Sequence, residues 1–196
     1  MRPRFMISVF PLLAGLLLVA PLRAQDSTIG RPAAILVDGP REGEIAPDFS
    51  LPWATRDSIG GEPWFGLTAQ RGKVVVLAFY PKDFTAGCTA EMRTFADQYA
   101  DLFGEDVVVV GVNPDSLETH VRFAQSLGLP FRLLTDSEQK VSQKYGSAGE
   151  NGYNRRTVYV VDRKGRVAYA DLRFGALDPK AYRDLKLAVQ RAKRSQ

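Results

Sequence analysis

At 196 residues, 45% of them hydrophobic, the chain is long enough for one domain with a full-sized core, and its single cysteine and single histidine exclude an internal disulfide framework and a four-ligand zinc site. Of the 26 basic residues three (Arg2, Arg4 and Arg23) lie at the extreme N-terminus, leaving 23 against 22 acidic ones, so the net charge of +4 falls to near +1 beyond them. Nucleic-acid binding thereby loses its main electrostatic support.

Residues 1–24 read as a secretory signal: Arg2 and Arg4 precede an almost wholly apolar stretch from Phe5 to Pro21, and Leu22-Arg23-Ala24 offers a small residue at a cleavage boundary. An uncleaved membrane anchor is the rival reading, because the run approaches the roughly 18 residues at which a span becomes possible. Pro11, Gly15 and Pro21 make it a poor stable span, and no cysteine follows it to carry a lipid. The expectation is an exported protein of the bacterial periplasm, with N-terminal membrane anchoring as the alternative. Gln25 to Pro40 lacks a strong period and is punctuated by Gly and Pro, as a linker would be. The domain then occupies residues 41–196.

Val74 to Tyr80 is a continuous apolar run of strand length, suited to burial on both faces of a sheet. From Cys88 to Phe103 the apolar residues Met92, Phe95, Ala96, Tyr99 and Phe103 recur at three- and four-residue steps, which predicts a helix with one buried face. Val107 to Val112 predicts a second buried strand, followed by a helix capped by Asp115 or Ser116 and running to about Leu127. Phe131 to Leu134 reads as a short strand and Ser137 to Tyr145 as a short helix. Thr157 to Val161 and Val167 to Ala170 flank a hairpin-like turn at Asp162-Arg163-Lys164-Gly165. Asp178 to Arg191 closes the chain as a helix whose basic end, Gln190 to Ser195, suits the macrodipole. Strands alternating with helices and then a hairpin predict an α/β protein of thioredoxin-like order, a mixed central sheet flanked by helices on both faces.

Cys88 lies between the first predicted strand and the first predicted helix, in VVVLAFYPKDFTAGCTAEM, Val74 to Met92. At a helix N-terminus, unpaired N–H groups and the positive end of the macrodipole favour thiolate over thiol, which makes Cys88 a candidate nucleophile. The bland reading is a buried structural cysteine. Pro81, Thr85 and Cys88 form P-x-x-x-T-x-x-C, which resembles the active-site signature of the peroxiredoxins, and FYPKDFTAGCTAE resembles their bacterioferritin-comigratory-protein branch. The resemblance runs from about Glu44 to Val167: GEIAPDFSL, Gly43 to Leu51, is similar to the family's opening strand, and RTVYVVDRKG, Arg156 to Gly165, to its late strand and turn. It implies the same thioredoxin-like fold.

The resemblance also implies an activity, the reduction of peroxides by a thiol without metal or organic cofactor, in antioxidant defence. Cys88 attacks one peroxide oxygen and becomes a sulfenic acid. Thr85 then hydrogen-bonds thiolate and peroxide, or serves as an ordinary N-cap, roles that are compatible. The N–H groups of Gly87 and Cys88 face the incoming oxygens, Gly87 permitting close approach. Pro81 ends the strand and shields the sulfur, although ending a strand is all that Pro need do. Arg156 matches the family's arginine, whose fork of donors holds sulfur and peroxide together. Arg155 points to the opposite face if the strand is regular, and an error of one residue would exchange the two. Glu91 resembles the acidic position that orients the arginine; a surface salt bridge is the alternative.

Many members of the branch carry a second cysteine five residues after the first, where this chain has Arg93. With no other thiol, a one-cysteine cycle follows, in which an external thiol or a thioredoxin-like protein reduces Cys88, the chain being a monomer or a dimer. Arg93 either supports the thiolate or is an exposed helical residue. His120 falls on a predicted surface helix far along the chain from Cys88, which disfavours a Cys–His hydrolase. The absence of C-x-x-C and C-x-x-x-C excludes a disulfide oxidoreductase and a copper carrier, and Ile59-Gly60-Gly61 lacks the setting of a nucleotide loop. The alternative from another class is a non-enzymatic thioredoxin-fold redox sensor or partner-binding module with Cys88 as its oxidisable switch.

Overall fold

The computed structural model describes Met1 and residues 39–195, so the leader and most of the linker anticipated above lie outside the described residues. Among the described residues no helix is long and apolar enough to cross a membrane. The elements in chain order are β1 (Ser50–Leu51), β2 (Trp53–Ala54), β3 (Phe65–Gly66), β4 (Val74–Phe79), α1 (Ala86–Asp97), α2 (Tyr99–Leu102), β5 (Val107–Asn113), α3 (Leu117–Leu127), β6 (Arg132–Thr135), α4 (Lys140–Lys144), β7 (Thr157–Val161), β8 (Val167–Asp171) and α5 (Pro179–Arg194).

Six strands form one mixed sheet in the order β2-β6-β5-β4-β7-β8. β5 runs parallel to both β4 and β6, while β2, β7 and β8 pair antiparallel with their neighbours. This is the thioredoxin-like arrangement that the alternation of strands and helices implies. β1 and β3 pair separately.

The strand period of two splits β4 between two cores. Val74, Val76, Ala78 and Tyr80 pack with Met92 and Phe95 of α1, Phe123 of α3 and Leu185 of α5. Val75, Leu77 and Phe79 pack on the other face with Phe49, Phe65, Val141 and Tyr145. Most of the helical surface therefore lies on one face, and the second face is covered by α4 and the small β1/β3 pair. The packed chain already includes Gly39, where a Cβ would stand 2.0 Å from the Tyr159 hydroxyl oxygen.

Two predicted helices are shorter in the structure. The single helix expected from Cys88 to Phe103 begins at Ala86 and breaks at Gln98 (φ −107°, ψ 19°), so that α1 and α2 are distinct. Thr94 donates its hydroxyl to the Ala90 carbonyl at 2.8 Å, a bond that bends helices, one turn before the break. The helix expected from Ser137 begins only at Lys140, because the Asp136 carboxylate takes the N–H groups of Val141 and Ser142 and holds residues 137–139 in a turn. For α3 the cap is Ser116, whose hydroxyl accepts the Thr119 N–H. Asp178 caps α5 in the same manner.

Candidate active site

β4 delivers the chain into the site and α1 carries it away. Tyr80 stays on the sheet through its N–H to the Val112 carbonyl, and Pro81 follows, ending the strand and remaining half-buried. The turn needs a left-handed residue, and Phe84 supplies it at φ 59°, a conformation that costs a bulky side chain on the order of 1–3 kcal/mol. Thr85 then takes the extended N-cap conformation (φ −83°, ψ 149°), but its hydroxyl donates to the Lys82 carbonyl at 3.1 Å instead of capping α1. Thr85 is exposed.

Cys88, in the first turn of α1, has 0% of its surface exposed. The Arg156 guanidinium reaches it from the start of β7: Nη2 donates to Sγ at 3.4 Å, while Nη1 pairs with Oε2 of Glu91. Glu91 lies one helical turn after Cys88 on the same face of α1, and it is fully buried, so the pair is not the surface salt bridge of the bland reading. Burial pushes the Glu91 carboxyl up to about 7 against the pull of Arg156. Its second oxygen, Oε1, has no partner, which leaves half of the ionised carboxylate uncompensated. For Arg156 burial favours the neutral form, but Glu91 and Cys88 outweigh it and raise the guanidinium further. The cation is therefore permanent.

Gly87 contributes space. A Cβ there would stand 3.2 Å from Arg156 Nη2, a contact tight enough to press on the guanidinium, so glycine leaves it room beside the sulfur. Arg155 turns the other way; it is exposed, and its guanidinium donates to the Gly146 carbonyl. Arg93 is exposed on α1. The structure thus brings Cys88, Gly87, Glu91 and Arg156 into one cluster. Pro81 and Thr85 lie on the loop that frames it.

The placement of His120 on a surface helix is corrected. The residue is 0% exposed and its Nδ1 lies 2.8 Å from Asp83 Oδ2, five residues before Cys88. Asp83 Oδ1 accepts the Tyr80 hydroxyl at 2.7 Å and the Asn113 side-chain amide at 2.9 Å, and the Asp83 N–H donates to Asp115 at 2.7 Å. Burial, and then Asp83, raise the Tyr80 phenol far above its usual range, so its hydroxyl stays a donor. Sequence reasoning passed over Asp83 and Asn113. The signal for His120 was present, since with Phe123, Ala124 and Leu127 it forms an i, i+3, i+4, i+7 stripe.

A buried thiol at a helix N-terminus under a fixed arginine, on a thioredoxin-like sheet, defines a cysteine-dependent redox protein. Residues 43–170 match the AhpC/TSA family model. The chain is 35% identical over 132 residues to peroxiredoxin Bcp of Bacillus subtilis, covering 64% of this chain and 80% of that protein. It is 34% identical over 152 residues to the chloroplastic peroxiredoxin Q of Triticum aestivum, covering 76% of this chain and 65% of that one. The crystal structure of peroxidoxin BcpB from Mycobacterium tuberculosis superposes with a TM-score of 0.64 at 28% identity, covering 80% of this chain and 99% of that one. The chain belongs to the AhpC/TSA family, the peroxiredoxins, in its Bcp-like branch, and it is a thiol-dependent peroxidase.

Proposed function

We propose that this chain is an exported, one-cysteine peroxiredoxin that reduces hydrogen peroxide and organic hydroperoxides, with a small thiol or a thioredoxin-like protein as reductant. The observation that carries the reading is the Arg156 guanidinium, 3.4 Å from Cys88 Sγ through Nη2 and anchored on Glu91 through Nη1. A donor so placed aligns the sulfur with a peroxide oxygen and stabilises the charge that develops on the departing one. The thiolate forms an S–O bond as the O–O bond breaks, the leaving oxygen takes a proton and departs as water or alcohol, and Cys88 is left as sulfenic acid. One external thiol displaces water from it to give a mixed disulfide, and a second releases Cys88 as thiol with an external disulfide. In this scheme the Thr85 oxygen and the N–H groups of Gly87 and Cys88 hold the peroxide. The exposed rings of Phe84 and Tyr153 beside the loop favour the organic substituent of a hydroperoxide. Export is supported by the apolar run behind Arg2 and Arg4.

Peroxide consumption in the presence of excess dithiothreitol tests the cycle. Many equivalents consumed per chain, lost entirely in Cys88→Ser, are expected. A single equivalent would instead favour a redox switch.

A further inference from the structure

Two side chains of α3, three residues apart on its buried face, grip the loop that carries Cys88. His120 bonds Asp83 through Nδ1 at 2.8 Å, and Phe123 meets Phe84 edge-on with ring centroids 5.1 Å apart. The two gripped residues, Asp83 and Phe84, are consecutive, and Phe84 is the left-handed residue on which the turn into Thr85 and Cys88 depends. The grip has no spare bond: Asp83 is buried, both its oxygens are engaged, and His120 Nε2 has no partner.

We propose that α3 is the clamp of the catalytic loop and that His120 is a positioning residue which, through Asp83, holds the N-terminus of α1 so that Cys88 stays under Arg156. His120 touches neither sulfur nor substrate; its effect passes through Asp83 and the turn at Phe84. Peroxide attack needs Cys88 seated against Arg156, whereas a bulky reagent reaches the buried sulfur only when the loop opens. Loosening the clamp therefore moves the two reactivities of one thiol in opposite directions. The proposal rests on Cys88 being the peroxide-reducing thiol.

The full chain with His120→Leu, which keeps bulk but removes the donor, is compared with His120→Asn, whose amide nitrogen falls near the position of Nδ1. In His120→Leu, oxidation of Cys88 by hydrogen peroxide slows about tenfold and its alkylation by a bulky maleimide quickens about tenfold. Hydrogen-exchange protection falls in residues 82–88 while the β4 and β5 amides keep theirs, and His120→Asn returns both rates to within about threefold. Unchanged rates in a folded His120→Leu overturn the proposal. So does loss of protection spread equally over β4 and β5 with no rescue by Asn. Should the Leu variant fail to fold, Phe84→Ala, which removes an exposed ring, must raise the maleimide rate, and no rise overturns the proposal. Exchange protection is read without peroxide, so a chain inactive toward peroxide would defeat the peroxidase reading and leave the clamp separately decided.

Discussion

Arg156→Lys keeps the charge and removes the fork. In the structure Nη1 and Nη2 serve two partners at once, Glu91 and Cys88, and an ammonium at the end of a flexible stem cannot sit at both positions. Glu91 is buried and already lacks a partner for Oε1, so the lysine is drawn to the carboxylate and away from the sulfur. The transition state then loses one charge-assisted hydrogen bond, about 2 kcal/mol, or roughly thirtyfold in rate. Arg155→Lys is the internal control: that side chain is exposed, bonds a carbonyl on the other side of the strand, and should leave the rate within about twofold. Stopped-flow measurement of Cys88 oxidation against peroxide concentration gives the second-order constant without the recycling step. A rate retained within threefold in Arg156→Lys, or a larger loss in Arg155→Lys, would refute the argument that the planar fork aligns the reaction.

Glu91 holds its proton more tightly in the fold, to about 7, than the ordinary 4.5, so the native state carries more protons between those values. Its contribution to stability is full below the lower value and is lost as pH rises to about 7, by about 3 kcal/mol, with no further change above. Glu91→Gln should flatten the dependence of the urea midpoint on pH between 5 and 7, and an unaltered slope would contradict this origin. Gly87→Ala should split stability from activity: alanine suits the first turn of α1 and adds up to about 1 kcal/mol, while its Cβ, 3.2 Å from Arg156 Nη2, displaces the guanidinium and slows oxidation about threefold. One equivalent of peroxide should leave a monomer trappable by a sulfenic-acid probe, and excess peroxide should drive it to inactive sulfinic acid. A stoichiometric covalent dimer in a non-reducing mass spectrum would sink the monomeric cycle.

The parts of the fold that sequence discloses are those set by local period and chemistry. Val74 to Tyr80, Val107 to Val112 and the turn from Asp162 to Gly165 all carry their own pattern and appear within a residue or two of the expected bounds. β1, β2 and β3, two residues each, carry too few positions to show a period; β1 and β3 pair where Phe49, Leu51 and Phe65 pack together, and β2 pairs with β6, far along the chain. Around Cys88 the legible residues were those near it in sequence or in the matching motif of the family, Arg156 included. Asp83 was in plain view in the motif, yet its significance comes from Asn113, Asp115 and His120, brought to it by the β4–β5 register and by α3. Likewise Gly111, an unremarked strand glycine, makes room for the Tyr80 ring, whose edge lies 3.0 Å from where a Cβ would stand. Tertiary proximity of that kind leaves no trace in spacing.

The complete burial of Cys88 places the two half-reactions in opposition. A peroxide is small and needs the sulfur seated under Arg156, where bond-making and charge stabilisation share one geometry. A reducing thiol carries its own substituent and must approach the sulfur of the sulfenic acid from the side opposite the departing oxygen, through space that the closed loop fills. Cys88 is the single cysteine of the sequence, so no second residue of this chain can draw the loop open by forming a disulfide with it. Opening must come from the loop's own balance between the strain at Phe84 and the bonds of Asp83. The strain at Phe84, on the order of 1–3 kcal/mol, favours opening and offsets part of what the four bonds of Asp83 contribute to the closed form. Loosening the loop would therefore speed reduction and slow oxidation, and the turnover of a one-cysteine chain is highest where neither half-reaction is favoured outright.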